Sequence, residues 1–281
     1  MPISNIRISS YTANSVSCTL QIDASGNNRK VVCFLTQERN PADVTAPTFD
    51  GVAGSLVVGV TTGANAIARI YEWNDTALPA SAGTYTLATT SGSGTNLAIV
   101  GLSCSGAKQA TLADPRSQTE ANTGTSPSYT LSADSGSVAL ICLMDVNAAA
   151  GITTGAGQTD VLAPTSTAGT RHASSYDSSD LTVSYTRSTS DTWAAVAAAI
   201  EPASAGGLTV TSVNTTNTVF SAQTNSAVIG TGLSASVVCT YAGIACTNES
   251  ASSSTSLKIT FPNFFTNNIK LGRNYEFKVV G

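Results

Sequence analysis

A chain of 281 residues is long enough for one large domain and one small one, and a hydrophobic content of 42% favours folded domains over disorder. Charged residues make up 11% of the chain, far below the roughly 25% of a typical soluble domain. The formal net charge of -4 argues against nucleic acid as a partner, because that binding needs Lys and Arg to neutralise phosphates. Such a low-charge surface is common in proteins that pack beside copies of themselves.

The N-terminal residues 1–5 have neither the basic region nor the apolar core of a secretory signal. We therefore expect the chain to act where it is made, or to leave the cell by lysis or by a signal-free route. The longest purely apolar runs, 138–144 and 194–200, have seven residues each, whereas a membrane helix needs about 20. The sequence predicts no transmembrane span and no membrane partner.

Short runs rich in β-branched and aromatic residues, bounded by Gly, Asn, Asp, Ser or Pro, predict many strands within residues 1–202. These runs are 5–12, 15–22, 30–37, 55–61, 66–73, 83–89, 96–103, 128–131, 138–145, 159–162, 171–176, 181–186 and 193–200. Strands without alternating helices predict an all-β fold, here a large jelly-roll-like antiparallel sandwich of two sheets over residues 1–202.

Some of these strands are apolar on both faces, and we expect them in the middle of a sheet with both sides covered. They are 31–35, 138–144 and 194–200. Residues 104–127 and 146–170 are polar and rich in Gly, Ser and Thr, and we predict them as long connections.

A linker of small residues, 203–207, precedes a second set of strand-like runs. These are 208–213, 226–229, 236–241, 257–261 and 275–280, and their number over residues 208–281 predicts a small immunoglobulin-like β-sandwich. Residues 1–203 carry 9 Lys and Arg against 15 Asp and Glu, and residues 208–281 carry 4 against 2. The opposite balances, -6 and +2, support two domains. No internal repeat unites the two domains.

Catalytic chemistry has few candidate residues. His172 is the single histidine, so a His-based metal cluster is excluded. A Ser-His-Asp arrangement with Asp177 or Asp180 is formally possible, but no Gly-x-Ser-x-Gly elbow lies between a strand and a helix. The oxygen-rich stretches 177–180 and 23–28 are better explained by turns than by calcium binding. We predict a protein that is not an enzyme, with no catalytic residue, cofactor or metal.

Cysteines occur at six positions. Four of them lie within apolar strand-like runs and are predicted to be buried thiols: Cys18, Cys33, Cys104 and Cys142. Cys239 and Cys246 flank a predicted turn, where a disulfide across the hairpin and two free thiols are both possible. The lack of a secretion signal favours thiols.

One strand carries the plausible ligand contact. Alternation along 66–73 places Arg69, Tyr71 and Trp73 on one face, together with Ile67. A Tyr and a Trp in line with an Arg can stack on a sugar ring or anchor a protein partner. Burial of both rings in the core is the alternative. Trp193 is expected to fill one end of the core, with a surface stacking role as its alternative.

The C-terminal segments 228–233 (VIGTGL), 241–245 (YAGIA), 254–259 and 272–279 carry a family resemblance. They resemble the strand-and-glycine-turn pattern of the IPT/TIG immunoglobulin-like family, from which the chain departs by an insertion at 261–271. The resemblance implies an immunoglobulin-like domain.

Residues 29–35 (RKVVCFL), 48–53, 70–73, 78–86 and 193–202 resemble jelly-roll-like domains of bacteriophage virion and surface proteins. The two domains together resemble phage head decoration and tail-surface proteins. That resemblance implies a structural protein on the capsid surface of a virion, made in the host cytoplasm. Its partners would be the major capsid protein and copies of itself, as in the homotrimers that such proteins often form. The alternative is a carbohydrate-binding adhesin module of a phage tail or bacterial surface, which would use Tyr71, Trp73 and the long loops to bind host-surface glycans.

Overall fold

The computed structural model describes residues 2–11, 15–38, 45–62, 66–90, 96–120, 125–147, 149, 151–167 and 169–203, and the backbone of strands beyond residue 208. The chain divides into two compact units, Met1–Ala203 and Ser204–Gly281. Each is built of antiparallel β-sheets. The predicted all-β fold class is therefore confirmed.

The first half of the large unit contains nine strands among the residues that the structure describes. They are β1 (Ser4–Ile8), β2 (Ser17–Ile22), β3 (Lys30–Glu38), β4 (Thr48–Phe49), β5 (Val52–Ala53), β6 (Ser55–Thr62), β7 (Ala66–Asn74), β8 (Gly83–Ala88) and β9 (Leu97–Ser105). Sheet A has the strand order β1-β9-β3-β7-β6, and sheet B has the order β2-β8-β4-β5.

The second half contains eight described strands. They are β10 (Ala113–Glu120), β11 (Ser128–Thr130), β12 (Val138–Asp145), β13 (Ile152–Thr154), β14 (Thr159–Thr167), β15 (Thr170–Asp177), β16 (Thr182–Arg187) and β17 (Trp193–Ile200). Sheet C has the order β10-β17-β12-β15-β14, and sheet D has the order β11-β16-β13. Strands β10 and β13, and the second half of β14, lie in stretches predicted as connections, so that prediction is wrong at these three places.

The two halves share one topology. Sheet C repeats the order of sheet A when β10, β12, β14, β15 and β17 take the places of β1, β3, β6, β7 and β9. The repeat extends to irregularities, because the first strand of each half has a bulge, with positive φ at Asn5 in β1 and at Asp114 in β10. The turn before β3 and the turn before β12 each contain a positive-φ glycine, Gly26 and Gly136. The large unit is thus an internal structural duplication.

Sheets stack in the order B, A, C and D, giving four layers. One core cluster lies between sheets A and C and includes Phe34 of β3 and Val196 of β17. A second lies between A and B, around Cys33, and a third lies between C and D, around Ile141. Sheets A and C are therefore covered on both faces, as their doubly apolar strands predict. One sandwich was expected and two are present, because covering both faces of a sheet requires two further layers.

Residues 106–112 form a short connector between the two halves, and this connector is hydrogen-bonded on both sides. The amides of Gly106 and Ala107 donate to the carbonyls of Asn27 and Asn28, at 2.8 and 2.9 Å. On the other side, the amide of Ala203 donates to the carbonyl of Gly106 at 2.7 Å, and Ala107 also pairs with Pro202. The last residues of the large unit are thus hydrogen-bonded to its middle.

The small unit has seven described strands. They are β18 (Thr209–Asn214), β19 (Ser226–Thr231), β20 (Val238–Tyr241), β21 (Ile244–Ala245), β22 (Thr247–Ser253), β23 (Ser256–Thr260) and β24 (Phe277–Val280). They form two sheets, β18-β19-β23-β22 and β21-β20-β24. The insertion at 261–271, and parts of the segments that resemble the IPT/TIG family, lie outside the described residues.

Deleting residues 206–281 should leave the large unit folded, because its four layers are complete by Ala203. We expect one cooperative urea transition for the truncated chain, followed by circular dichroism and tryptophan fluorescence. Deleting residues 196–281 is the control, since it removes five of the eight residues of the interior strand β17 and should abolish the transition. An aggregated or molten product from the first deletion would contradict the two-unit organisation.

Candidate functional site

The residues predicted to contact a ligand lie on β7, and the two aromatic rings are in the core. Trp73 is 2% exposed and Tyr71 is 4% exposed. The indole Nε1 of Trp73 donates to the carbonyl of Val52 at 2.8 Å, and a side chain at Gly54 would meet the ring. Strand β5 and the residue after it therefore cover the indole. The structure places both rings in the second core cluster, which is the alternative that the sequence left open.

Arg69 is the partly exposed member of this face. Its methylene carbons lie across Gly59 of β6, and its Nη1 donates to the hydroxyl of Tyr71 at 3.5 Å. Leu56, also on β6, is 55% exposed and borders Gly59. Sequence reasoning missed Leu56 because the apolar run 55–61 predicts a strand without showing which of its residues is exposed.

His172 lies between the two central sheets and is fully buried. Its Nδ1 is 2.8 Å from the hydroxyl of Thr36 on sheet A, and its Nε2 is 3.0 Å from the hydroxyl of Thr170 on sheet C. A threonine hydroxyl both donates and accepts, so a neutral imidazole can satisfy both nitrogens here. Burial lowers the pKa of His172 to about 4. The ring links the two sheets as a neutral group.

Arg187 and Asp145 form a buried ion pair near the end of sheets C and D. Nε of Arg187 is 2.6 Å from Oδ2 of Asp145, and its other nitrogens donate to the carbonyls of Thr125 and Asp191 at 3.0 Å. Burial raises the pKa of Asp145 despite the nearby guanidinium. The guanidinium lies 5.5 Å from the ring centre of Trp193, which is buried in the third core cluster, as expected for a core tryptophan.

Two further buried cations lie in the first half. Nζ of Lys30 is 2.7 Å from Glu72 and 2.6 Å from the carbonyl of Ala110. Nε of Arg29 donates to Asp75 at 2.6 Å, and its Nη1 donates to the carbonyls of Asp23 and Pro79. These charges hold loops and strands together.

The two oxygen-rich stretches are occupied by internal hydrogen bonds. A hydrogen bond from the Ser105 hydroxyl helps to hold the pKa of Asp23 below its usual value. Burial raises the pKa of Asp177, but bonds from Ser179 and the amide of Asp180 outweigh it, so this pKa is also lowered. Among the residues that the structure describes, no group of three or more His, Cys, Asp and Glu could hold a metal ion.

Four cysteines are free and buried, as predicted: Cys18, Cys33, Cys104 and Cys142. Burial raises the pKa of each thiol, that of Cys104 to about 12. They are therefore unreactive side chains of the core. Cys246 and the side chain of Cys239 lie outside the described residues. No helix within the described part of the chain is long and apolar enough to cross a membrane.

The geometry defines an all-β protein whose larger unit consists of two sandwiches stacked face to face. Comparison of the chain with protein-family models, with curated proteins and with solved structures gives no match.

Replacing Trp73 with Ala should lower the free energy of unfolding by about 3–5 kcal/mol, because it empties a core position and leaves the Val52 carbonyl unpaired. Arg69→Ala, four residues earlier on the same face of the strand, should lower it by about 1 kcal/mol or less, since Arg69 is partly exposed. Urea denaturation of both variants measures the difference. Equal, small effects would show that the indole is not a core residue.

Acid should destabilise the protein through His172. The pKa of His172 is lower in the folded chain than the unfolded value of about 6.5. The contribution of this residue to folding stability is therefore complete above about pH 6.5 and is lost as the pH falls towards 4. Between about pH 7 and pH 4.5 this loss is about 2–3 kcal/mol. In the His172→Gln variant the glutamine can bond both threonines but does not titrate. Between about pH 7 and pH 4.5 its free energy of unfolding, measured with urea, should therefore fall by about 2–3 kcal/mol less than that of the wild type. Identical slopes for the two proteins would refute this assignment.

Proposed function

We propose that this protein is a non-enzymatic structural protein that decorates or cements the exterior of a bacteriophage capsid. The observation that carries the proposal is the four-layer stack, in which the two central sheets are covered on both faces. The groups best suited to chemistry are engaged within the fold: Arg29, Lys30, His172 and Arg187. A four-layer stack of this kind is suited to forming contacts with neighbouring proteins in an assembly.

Composition supports the same role. Charged residues are 11% of the chain, and several of them are engaged in buried ion pairs. The surface therefore interacts mainly through hydroxyls, amides and apolar groups, which pack against neighbours with little charge repulsion. The resemblance of the two domains to phage head decoration proteins favours a capsid as the assembly in this proposal.

Decoration would stabilise a shell by mass action, because a protein that binds only the assembled state shifts the equilibrium towards it. The major capsid protein and copies of this chain would be the partners. In this scheme one unit contacts the shell and the other contacts neighbouring subunits.

The carbohydrate-binding alternative depended on Tyr71 and Trp73 as a stacking surface. Both rings are buried, so this alternative loses the residues that recommended it. Arg69 alone remains partly exposed on that face.

The proposal predicts that the chain co-purifies with tail-less heads of the source phage. Heads assembled without it should form but release DNA at a lower temperature, and added purified protein should restore the wild-type temperature. A dye that fluoresces on released DNA measures the transition, and heat-denatured protein is the control for the addition. Tail-less heads that lack this chain would overturn the proposal.

A further inference from the structure

Strand β6 forms a long edge of sheet A. It is the last strand of the order β1-β9-β3-β7-β6, and among the described residues β7 is its one hydrogen-bonded neighbour, while β10 of the facing sheet C packs against it. Its eight residues, Ser55–Thr62, contain no charge and no proline. Backbone N–H and C=O groups along such an edge can pair with another strand.

The other long edges of the two central sheets carry protection that β6 lacks. Strand β1 contains Arg7, β10 contains Pro115 and Arg116, and β14 contains Asp160 and Pro164. Charges and prolines on an edge oppose the addition of a strand. Bulges do not distinguish these edges, since all four strands have one.

The edges of the outer sheets B and D are less suited than β6 to pairing with another strand. The edge strands β5, β11 and β13 have two or three residues each. Strand β2 is longer, but the amide of Ser10 already donates to its Thr19 carbonyl at 3.2 Å. Within the described part of the large unit, β6 is therefore the long edge best suited to pairing.

The residues at the middle of an edge strand favour a second copy of the chain as the occupant. In a pair related by a two-fold axis, antiparallel strands place early residues of one copy opposite late residues of the other, so only residues near the middle meet their own copies. Arg7 lies one residue from the middle of β1, where its two copies would be diagonal neighbours, and Pro164 removes an N–H donor near the middle of β14, whereas β6 has neither a charge nor a proline. Exposed Leu56 would add apolar contact to the backbone pairing.

The neighbouring arginine does not oppose this arrangement. Arg69 lies on β7, one strand inside the edge, so the two copies of it would be three strand spacings apart. That is about 14 Å, which exceeds the screening length of about 8 Å at physiological salt.

We propose that β6 pairs with β6 of a second copy of this chain, antiparallel and about a two-fold axis, joining two copies of sheet A into one continuous sheet. The inference rests on the proposed structural role, to which it adds the self-association surface. It assigns that surface a two-fold contact, in place of the three-fold contact expected from the resemblance.

Sedimentation velocity of the full chain across micromolar concentrations tests the pairing. We expect a reversible monomer–dimer equilibrium. The variant Leu56→Lys with Thr61→Lys places like charges at both ends of the antiparallel pair and should weaken dimerisation by about tenfold or more. Ile8→Lys is the matched control, because Ile8 is a 47% exposed apolar residue on the protected edge β1; it should leave the equilibrium unchanged.

A charge-reversed partner separates lost pairing from lost folding. Mixing the double-lysine chain with a chain carrying Leu56→Glu and Thr61→Glu should restore a dimer, now as the mixed species, with thermal unfolding of each variant close to the wild type. A wild-type protein that stays monomeric, a trimer, or a dimer indifferent to these substitutions would overturn the proposal. These outcomes are measured on purified protein and do not depend on whether the chain is found in phage heads, so the two proposals can fail separately.

Discussion

Face-to-face contact between sheets A and C is the interaction on which the large unit depends. Strands β3, β12 and β17 are buried along nearly their whole length, so each central sheet has two apolar faces. One face is covered by an outer sheet of the same half, and the other is covered only by the other half. Separating the halves would expose an entire sheet face on each of them to water. The duplicated halves are therefore one cooperative unit, although each has a complete sandwich topology.

Buried ion pairs fix the ends of this stack. Lys30 binds Glu72 within sheet A and also the carbonyl of Ala110 in the connector, while Arg187 binds Asp145 and the carbonyl of Thr125. Desolvating such pairs offsets much of their attraction, so their effect lies in position more than in net stability. Removing one partner would leave a buried charge without compensation. Each pair thus holds one loop in a defined position. Apolar packing alone is less specific and does not do this.

Residue patterns predicted the strands that are buried on both faces, and with them the all-β class and four of the thiols. They did not predict the duplication, because equivalent strands such as KVVCFLTQE in β3 and VALICLMD in β12 share apolar character and little else. Strand β10, with the sequence ADPRSQTE, is a polar edge strand containing a proline, and a single sequence cannot distinguish it from a loop. Tyr71 and Trp73 were ambiguous for a different reason. The cover over Trp73 comes from Val52 and Gly54, which are remote in sequence, so alternation along β7 shows which face the ring is on but not what lies above it.

Because the two halves are equivalent, Asp160 and Pro164 mark a difference between two corresponding edge strands. Strand β14 occupies in sheet C the place that β6 occupies in sheet A. Had both strands kept a neutral edge, every chain would carry two addition sites, and successive chains could join into an open ribbon without end. With β14 blocked, the proposed contact through β6 would occupy one of these two equivalent edges while the other stays closed, so growth through them would stop at two. Under the proposed pairing, divergence between the duplicated halves is what would separate a closed pair from a fibre.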